Sequence, residues 1–192
     1  RRVAFGLDMP FYVWNFSDEF RCEVIDRFAA AYAAGRTPNP CIDCNRYLKF
    51  GALLRRARAL GFDALATGHY ARVEKSDGQY LLKKAADETK DQSYVLYMLS
   101  QAELSLLRLP LGELRKSETR QIAARQGFAV ARKPDSQDLC FAPDGDYAAA
   151  AERALGWAFA PGDFVDAEGR VLGRHAGIGR YTLGQRRGLG IS

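Results

Sequence analysis

The chain has no run approaching the ~18 consecutive apolar residues that a membrane-spanning helix needs. Its opening, Arg1-Arg2-Val3-Ala4-Phe5-Gly6-Leu7-Asp8, is no signal peptide, and it does not begin with Met. Only four cysteines occur in 192 residues, too few for a secreted disulfide scaffold, so thiols in a reducing compartment are expected. Internal repeats and low-complexity tracts are absent, and a fibrous protein is excluded with them. A large excess of one charge is missing too: 28 Lys and Arg oppose 23 Asp and Glu, for a net charge of +5. That surplus permits an anionic partner without requiring one. With 47% hydrophobic and 27% charged residues, the composition is that of a folded protein of one domain, or one and part of another.

What is present is an alternation of elements. Residues 11–16, Phe-Tyr-Val-Trp-Asn-Phe, read as a buried strand, being aromatic and β-branched. Ser17 reads as the cap of a helix with Asp18 and Glu19 in its first turn, and Phe20, Val24, Phe28 and Tyr32 share one face up to Gly35. Arg36-Thr-Pro-Asn-Pro-Cys41 reads as a loop, followed by a helix over 45–60 stopped by Gly61. Ala64-Leu-Ala-Thr-Gly-His-Tyr70 reads as a short buried strand. Ser76-Asp77-Gly78 signals a hairpin between Ala71-Arg-Val-Glu and Gln79-Tyr-Leu-Leu. Helices are expected over 91–107, 116–127 (where Lys116-Ser-Glu-Thr offers a capped start) and 146–155. From Pro161 the pattern turns to β. The fold class expected is α/β with a partial parallel sheet. Its domains are 1–85, a mainly helical 86–158, and 159–192 as the start of a β-rich domain, with a boundary near 156–162. The N-terminal side lacks a first strand and the β region stops early, so the chain reads as an interior fragment of a larger protein.

Cationic residues gather at Arg55, Arg56, Arg58 and Arg72, at Lys83 and Lys84, and at Arg170, Arg174, Arg180, Arg186 and Arg187. They read either as solvated faces or as a tract that neutralises phosphates. Among the cysteines, Cys22 falls within the first amphipathic helix and reads as a small buried hydrophobe. Cys41 and Cys44 form a C-x-x-C at a helix start, where the dipole and unpaired N–H groups favour the thiolate. Cys140 lies in a polar, proline-bounded loop, Lys133-Pro-Asp-Ser-Gln-Asp-Leu-Cys140-Phe-Ala-Pro. A redox pair, a metal knuckle completed by Cys140, His69 or His175, and a catalytic thiolate at Cys44 all remain open on these residues alone. Two distant reactive cysteines suit sulfur or disulfide exchange.

Five motifs in order, Gly35-Arg-Thr-Pro-Asn-Pro-Cys-Ile-Asp-Cys-Asn-Arg-Tyr-Leu-Lys-Phe50, Ala66-Thr-Gly-His-Tyr-Ala-Arg72, Lys90-Asp-Gln-Ser-Tyr94, Asp135-Ser-Gln-Asp-Leu-Cys-Phe141 and Tyr181-Thr-Leu-Gly-Gln-Arg-Arg-Gly-Leu-Gly190, resemble the tRNA-specific 2-thiouridylases of the MnmA/TrmU family. The resemblance implies a nucleotide-binding domain like that of the PP-loop ATPases, a helical tRNA-binding middle region, and a small β domain. It implies replacement of the C2 oxygen of the wobble uridine by sulfur, with ATP and Mg2+, in the cytoplasm. Cys140 is then similar to the persulfide carrier and Cys44 to its partner, which closes a disulfide; the order of attack stays open. Gly68 resembles the ATP-contacting glycine. Asn39, Pro40 and Cys41 resemble the stretch that meets the target base, and His69, Lys90, Asp91 and Gln92 resemble tRNA contacts. A base to be modified must leave its stack, which suits a rigid loop beside the thiol. The partners implied are tRNA and a persulfide donor, either a cysteine desulfurase or a sulfur-relay protein, and no membrane.

The chain departs from the family in two places. Many members carry Asp where Cys41 stands, which leaves the acid–base role open and brings Cys41, Cys44 and Cys140 into consideration as iron–sulfur ligands. The family's Ser-Gly-Gly-x-Asp-Ser-Ser phosphate loop does not occur, and nothing in residues 1–34 substitutes for it. Little or no thiolation is therefore expected from this chain alone. A non-catalytic tRNA-, iron–sulfur- or zinc-binding module is the alternative, and a thiol–disulfide oxidoreductase using Cys41 and Cys44 a third reading.

Overall fold

A computed structural model describes residues 1–132 and 138–191. Two compact units emerge among the described residues, one formed by residues 1–17 and 45–132, the other by 18–44 and 138–191. Each is drawn from two separated stretches of chain.

In the first unit, β1 (Leu65–Ala66) pairs in parallel with β4 (Leu107–Arg108), and the ladder is extended by the Thr67 N–H donating to the Arg108 carbonyl at 3.1 Å. This is the parallel pairing expected of an α/β fold. β2 (Ala71–Ser76) and β3 (Gln79–Lys84) form an antiparallel hairpin in register from Ala71↔Lys84 to Ser76↔Gln79. Its turn holds Asp77 and Gly78 both at positive φ, +49° and +79°, the backbone twist a two-residue hairpin requires. The buried apolar residues of this unit include Phe50, Leu54, Tyr70, Ala71, Val95, Leu96, Leu104 and Leu107.

The second unit is built on the helical run 17–33, whose middle section, Arg21–Asp26, is π-wound. Val24, Phe28 and Tyr32 are buried along one face as the spacing predicts, and Gly35 ends the run at φ +67°. Asp18 and Glu19 occupy the first turn, but the capping oxygen comes from Asn15, which accepts from the Ser17 N–H at 3.0 Å. Helix Tyr147–Leu155 packs on this run, capped by Asp146, which accepts from Ala149 N–H at 2.9 Å, and closed by Gly156 in the left-handed conformation. β5 (Gly162–Val165) and β6 (Val171–His175) pair antiparallel, the β structure expected after Pro161. Phe28, Ala29, Tyr32, Ala142, Ala148, Ala150, Ala151 and Phe159 form the core.

Several expectations fail for identifiable reasons. Residues 11–16 form no strand; Phe11, Tyr12 and Val13 are exposed, since no neighbouring backbone among the described residues completes a ladder with them. Trp14 instead lies under the Arg56 guanidinium, 5.3 Å from the ring centroid. The strand read over 64–70 shortens to Leu65–Ala66, because β4 offers only Leu107 and Arg108 as partners. The helix read over 91–107 is confined to Gln101–Leu106, preceded by 3-10 turns at Glu88–Lys90 and Ser93–Val95. Asp91 takes hydrogen bonds from the Ala85 N–H and the Ser93 hydroxyl at 2.8 and 2.7 Å, and such local acceptors compete with helical bonding until Ser100 and Glu103 cap a proper start. Helix Lys116–Arg125 begins with Arg115 as its cap position, whose N–H donates to Glu118 at 2.7 Å.

The helix read over 45–60 also starts earlier, as Pro40–Asp43, and continues through the π-wound Cys44–Leu53 into Leu54–Ala59. Cys22, expected to be buried, is exposed. It sits midway between Phe20 and Val24, on the side of the run away from the stripe that Val24 and Phe28 present to the core.

Candidate functional site

In the second unit the thiols are carried by short, tightly held segments. Asn39 caps the Pro40–Asp43 turn: its Oδ1 accepts from the Cys41 N–H at 3.1 Å, and Pro40 occupies the first helical position, where no N–H is needed. Pro40 is buried, Asn39 and Cys41 are exposed, and Cys44 is half-buried one turn further on. The C-x-x-C therefore lies within the first helical turn and just after it, not in a loop ahead of the helix. This turn packs on Arg21–Asp26, and Asp43 meets the Arg27 guanidinium at 3.8 Å.

Cys140 occupies a tight turn closed by the Leu139–Ala142 bridge, with the Ala142 N–H donating to the Leu139 carbonyl at 3.0 Å. Beside it, Phe141 inserts edge-on between Phe28 and Phe20, at centroid distances of 5.1 and 6.0 Å. Before it, Asp138 accepts from the Tyr147 hydroxyl at 2.9 Å, a bond that raises the Tyr147 pKa. Cys140 thus projects, exposed, from an anchored turn rather than from the unrestrained loop its polar sequence suggested. The preceding Asp135, Ser136 and Gln137 of its motif lie outside the described residues. Both thiol-bearing segments rest on one helix, 17–33.

All four cysteines stand outside any disulfide. Among the described residues, no group of three His, Cys, Asp or Glu side chains could hold a metal ion. Cys41, Cys44 and Cys140 are thus not gathered into one three-ligand group among the described residues.

In the first unit the residues at and after the end of β1 form a ledge. Gly68 is exposed, and a Cβ there would meet only Leu111 Cδ1 at 3.7 Å, so neither packing nor backbone conformation demands glycine. His69 is buried, 2.9 Å from Thr67 Oγ1 through Nδ1 and tilted against the Phe50 ring. Burial, aided by the nearby Lys49 charge, pushes its pKa down to about 4, so the ring is neutral at physiological pH. Tyr70 and Gln92 are clasped reciprocally: the Tyr70 N–H donates to Gln92 Oε1 at 2.9 Å, and the Gln92 N–H donates to the Tyr70 carbonyl at 2.7 Å. Tyr70 also donates from its hydroxyl to Thr119 at 2.9 Å and lies under the Lys116 ammonium. Burial pushes the Asp91 pKa up, but hydrogen bonds from Ser93 and the Ala85 N–H outweigh it and hold the carboxyl below its usual value. Asp91 and Gln92 are thus committed to the fold. Lys90 ends the 3-10 turn beside them, half-buried.

The sequence reading missed Tyr70 as the hub of this ledge and Asn45 as its anchor. Asn45 is 1% exposed, and its Nδ2 donates to the Val95 carbonyl at 3.1 Å. A buried asparagine inside an apolar helix face is the one signal that pointed to it.

A family model described as the tRNA methyl transferase HUP domain matches residues 1–144, and one described as the tRNA methyl transferase PRC-barrel domain matches residues 154–192. The chain is 54% identical over 193 residues to the tRNA-specific 2-thiouridylase MnmA of Lachnoclostridium phytofermentans, an alignment covering 100% of this chain and 54% of that protein. It is 55% identical over 192 residues to the MnmA proteins of Chloroflexus aurantiacus and Saccharopolyspora erythraea, again covering 100% of this chain, with 54% and 52% of theirs. The chain spans about half the length of the curated relatives it matches.

Proposed function

We propose a function from one premise: the chain belongs to the MnmA/TrmU family of tRNA-specific 2-thiouridylases. The protein transfers sulfur to C2 of the wobble uridine of tRNA, in the cytoplasm. The family model's name speaks of methyl transfer and the relatives' names of thiolation. Two thiol segments seated on one helix favour sulfur, which one thiol can carry as a persulfide and the other release by exchange. That shared seating of residues 40–44 and 139–142 on the 17–33 helix is the observation that carries the reading.

ATP is the co-substrate: the uridine C2 oxygen takes its AMP moiety, pyrophosphate leaves, and the oxygen becomes a leaving group. Gly68 fits it: the exposed strand end has room that the fold leaves unused, and a backbone without Cβ admits a nucleotide closely. Mg2+ would accompany the phosphates, and no step is assigned to it. A cysteine desulfurase or sulfur-relay protein loads Cys140 as a persulfide, Cys–S–SH. The terminal sulfur attacks C2, AMP departs, and the base is held through a disulfide to Cys140. The Cys44 thiolate then attacks the Cys140 sulfur, forming a Cys44–Cys140 disulfide and releasing 2-thiouridine. An external reductant restores both thiols.

Asn39 and Pro40 hold Cys41 and Cys44 by capping the turn that carries them. Asn39 and Cys41, both exposed, face the target base; Pro40 serves from inside. His69, neutral, and the ledge of Lys90, Asp91 and Gln92 shape the tRNA surface. The test is peptide mapping under non-reducing conditions after mild oxidation. A Cys44–Cys140 linked peptide is expected, and a Cys41–Cys44 bridge with Cys140 unmodified overturns the assignment.

A further inference from the structure

Beside the β2–β3 hairpin lies a cavity of about 360 Å³ whose polar lining is Arg72, Lys75, Tyr80, Arg108 and Glu113. Three cations thus face one carboxylate. Glu113 is engaged by Arg72, whose Nη1 lies 3.5 Å from it while Nε donates to the Lys84 carbonyl at 2.7 Å. Lys75 and Arg108 have no carboxylate partner among the described residues. Lys75 sits across the ladder from Tyr80, its ammonium 5.7 Å from the ring centroid. Arg108 is oriented by backbone alone, its Nη1 donating to the Ser105 and Leu107 carbonyls at 2.9 Å each. Elsewhere on the hairpin Lys83 is neutralised by Glu74.

The groove is also held in shape. Gln101 clasps Tyr80 on both sides, accepting from its N–H at 2.7 Å and donating to its carbonyl at 2.8 Å. Val73, Leu107 and Leu109 supply an apolar floor. β2 begins at Ala71, directly after His69 and Tyr70, so the groove continues the ledge along the chain.

We propose that this groove binds the phosphodiester backbone of RNA, with Lys75 and Arg108 as the phosphate contacts and Tyr80 as an aromatic wall. The proposal rests on the tRNA reading above and adds a site to it. The cationic donors are long side chains spread along two strands, Arg72 and Lys75 on β2 and Arg108 on β4. That arrangement suits a run of phosphates better than a single free anion.

The experiment measures binding of a labelled tRNA transcript to the 192-residue chain by fluorescence anisotropy across a series of salt concentrations. Each phosphate contact contributes about 0.7–0.9 to the slope of log K against log salt. The Lys75→Gln/Arg108→Gln double variant should lower the slope magnitude by about 1.4–1.8, and Glu113→Gln should tighten binding. Unchanged slopes in both variants, with the unsubstituted chain still binding, would place RNA elsewhere and overturn the groove while leaving the tRNA reading intact. No binding by the unsubstituted chain would overturn both. Inorganic phosphate and ATP serve as competitors at matched ionic strength. Displacement of tRNA by either, lost in the double variant, would assign the groove to a small phosphate instead.

Discussion

The Asn45 side chain donates to the Val95 carbonyl at 3.1 Å in an environment that leaves Asn45 1% exposed. One buried bond thereby ties the residue after Cys44 to the 3-10 turn just beyond Lys90, Asp91 and Gln92. Its cost is visible, because Asn45 Oδ1 is buried without a partner among the described residues. An apolar side chain would avoid that cost, so the bond to Val95 is what the asparagine contributes.

Asn45→Ala removes the donor and strands the Val95 carbonyl. A loss of about 1–3 kcal/mol in unfolding free energy is expected from urea titration. Asn45→Asp should cost more, since it adds a buried carboxylate with no donor. Unchanged stability in the alanine variant would show that Val95 does not hold the helix.

Two glycines of the first unit separate packing from ligand approach. A Cβ on Gly112 would collide with the Ala71 carbonyl, so Gly112→Ala should destabilise the chain by about 1–3 kcal/mol. Gly68 has room for a methyl group, and Gly68→Ala should leave thermal stability within about 0.5 kcal/mol. In the protein competent to bind ATP, that same variant should weaken nucleotide affinity about tenfold, or about 1.4 kcal/mol. Equal affinity would remove Gly68 from the nucleotide site.

His69 links stability to pH. Its folded pKa is pushed down to about 4 from 6.5, so the unfolded chain binds the proton more readily. The contribution is fully present above pH 6.5 and is lost as pH falls toward 4. The loss amounts to at most about 3 kcal/mol, less with solvent screening. Urea titrations at pH 7, 5.5 and 4.5 on the chain and on His69→Asn check it; parallel pH profiles would refute the buried neutral imidazole.

The thiols should separate by exposure. Brief alkylation of the folded chain is expected to label Cys22, Cys41 and Cys140 ahead of the half-buried Cys44, with all four equal after denaturation. In the full-length protein, Cys140→Ser and Cys44→Ser should each abolish 2-thiouridine formation, read by nucleoside mass spectrometry. Both should keep tRNA affinity within about twofold, because neither thiol carries the phosphate contacts. Normal turnover in either variant would sink the two-cysteine mechanism.

The sequence by itself determined whatever depends on local chemistry. The Phe20, Val24, Phe28 and Tyr32 stripe, the Asp77-Gly78 turn, the Ala-rich helix with its Asp146 cap and the β switch after Pro161 follow from spacing, φ preference and capping. So did the motif resemblance that singled out Cys44 and Cys140. Strand 11–16 and helix 91–107 misled because their patterns satisfy a propensity but not a pairing: a strand needs a partner, and Asp91 and Ser93 divert the backbone bonds a helix would use. Only the tertiary structure decided that residues 18–44 and 138–191 share one core, which anchors the turns carrying Cys44 and Cys140. The tertiary structure alone brought Arg72, Lys75 and Arg108 to one groove. These are contacts between segments distant in sequence, set by which apolar faces find each other in three dimensions, and no local periodicity encodes that choice.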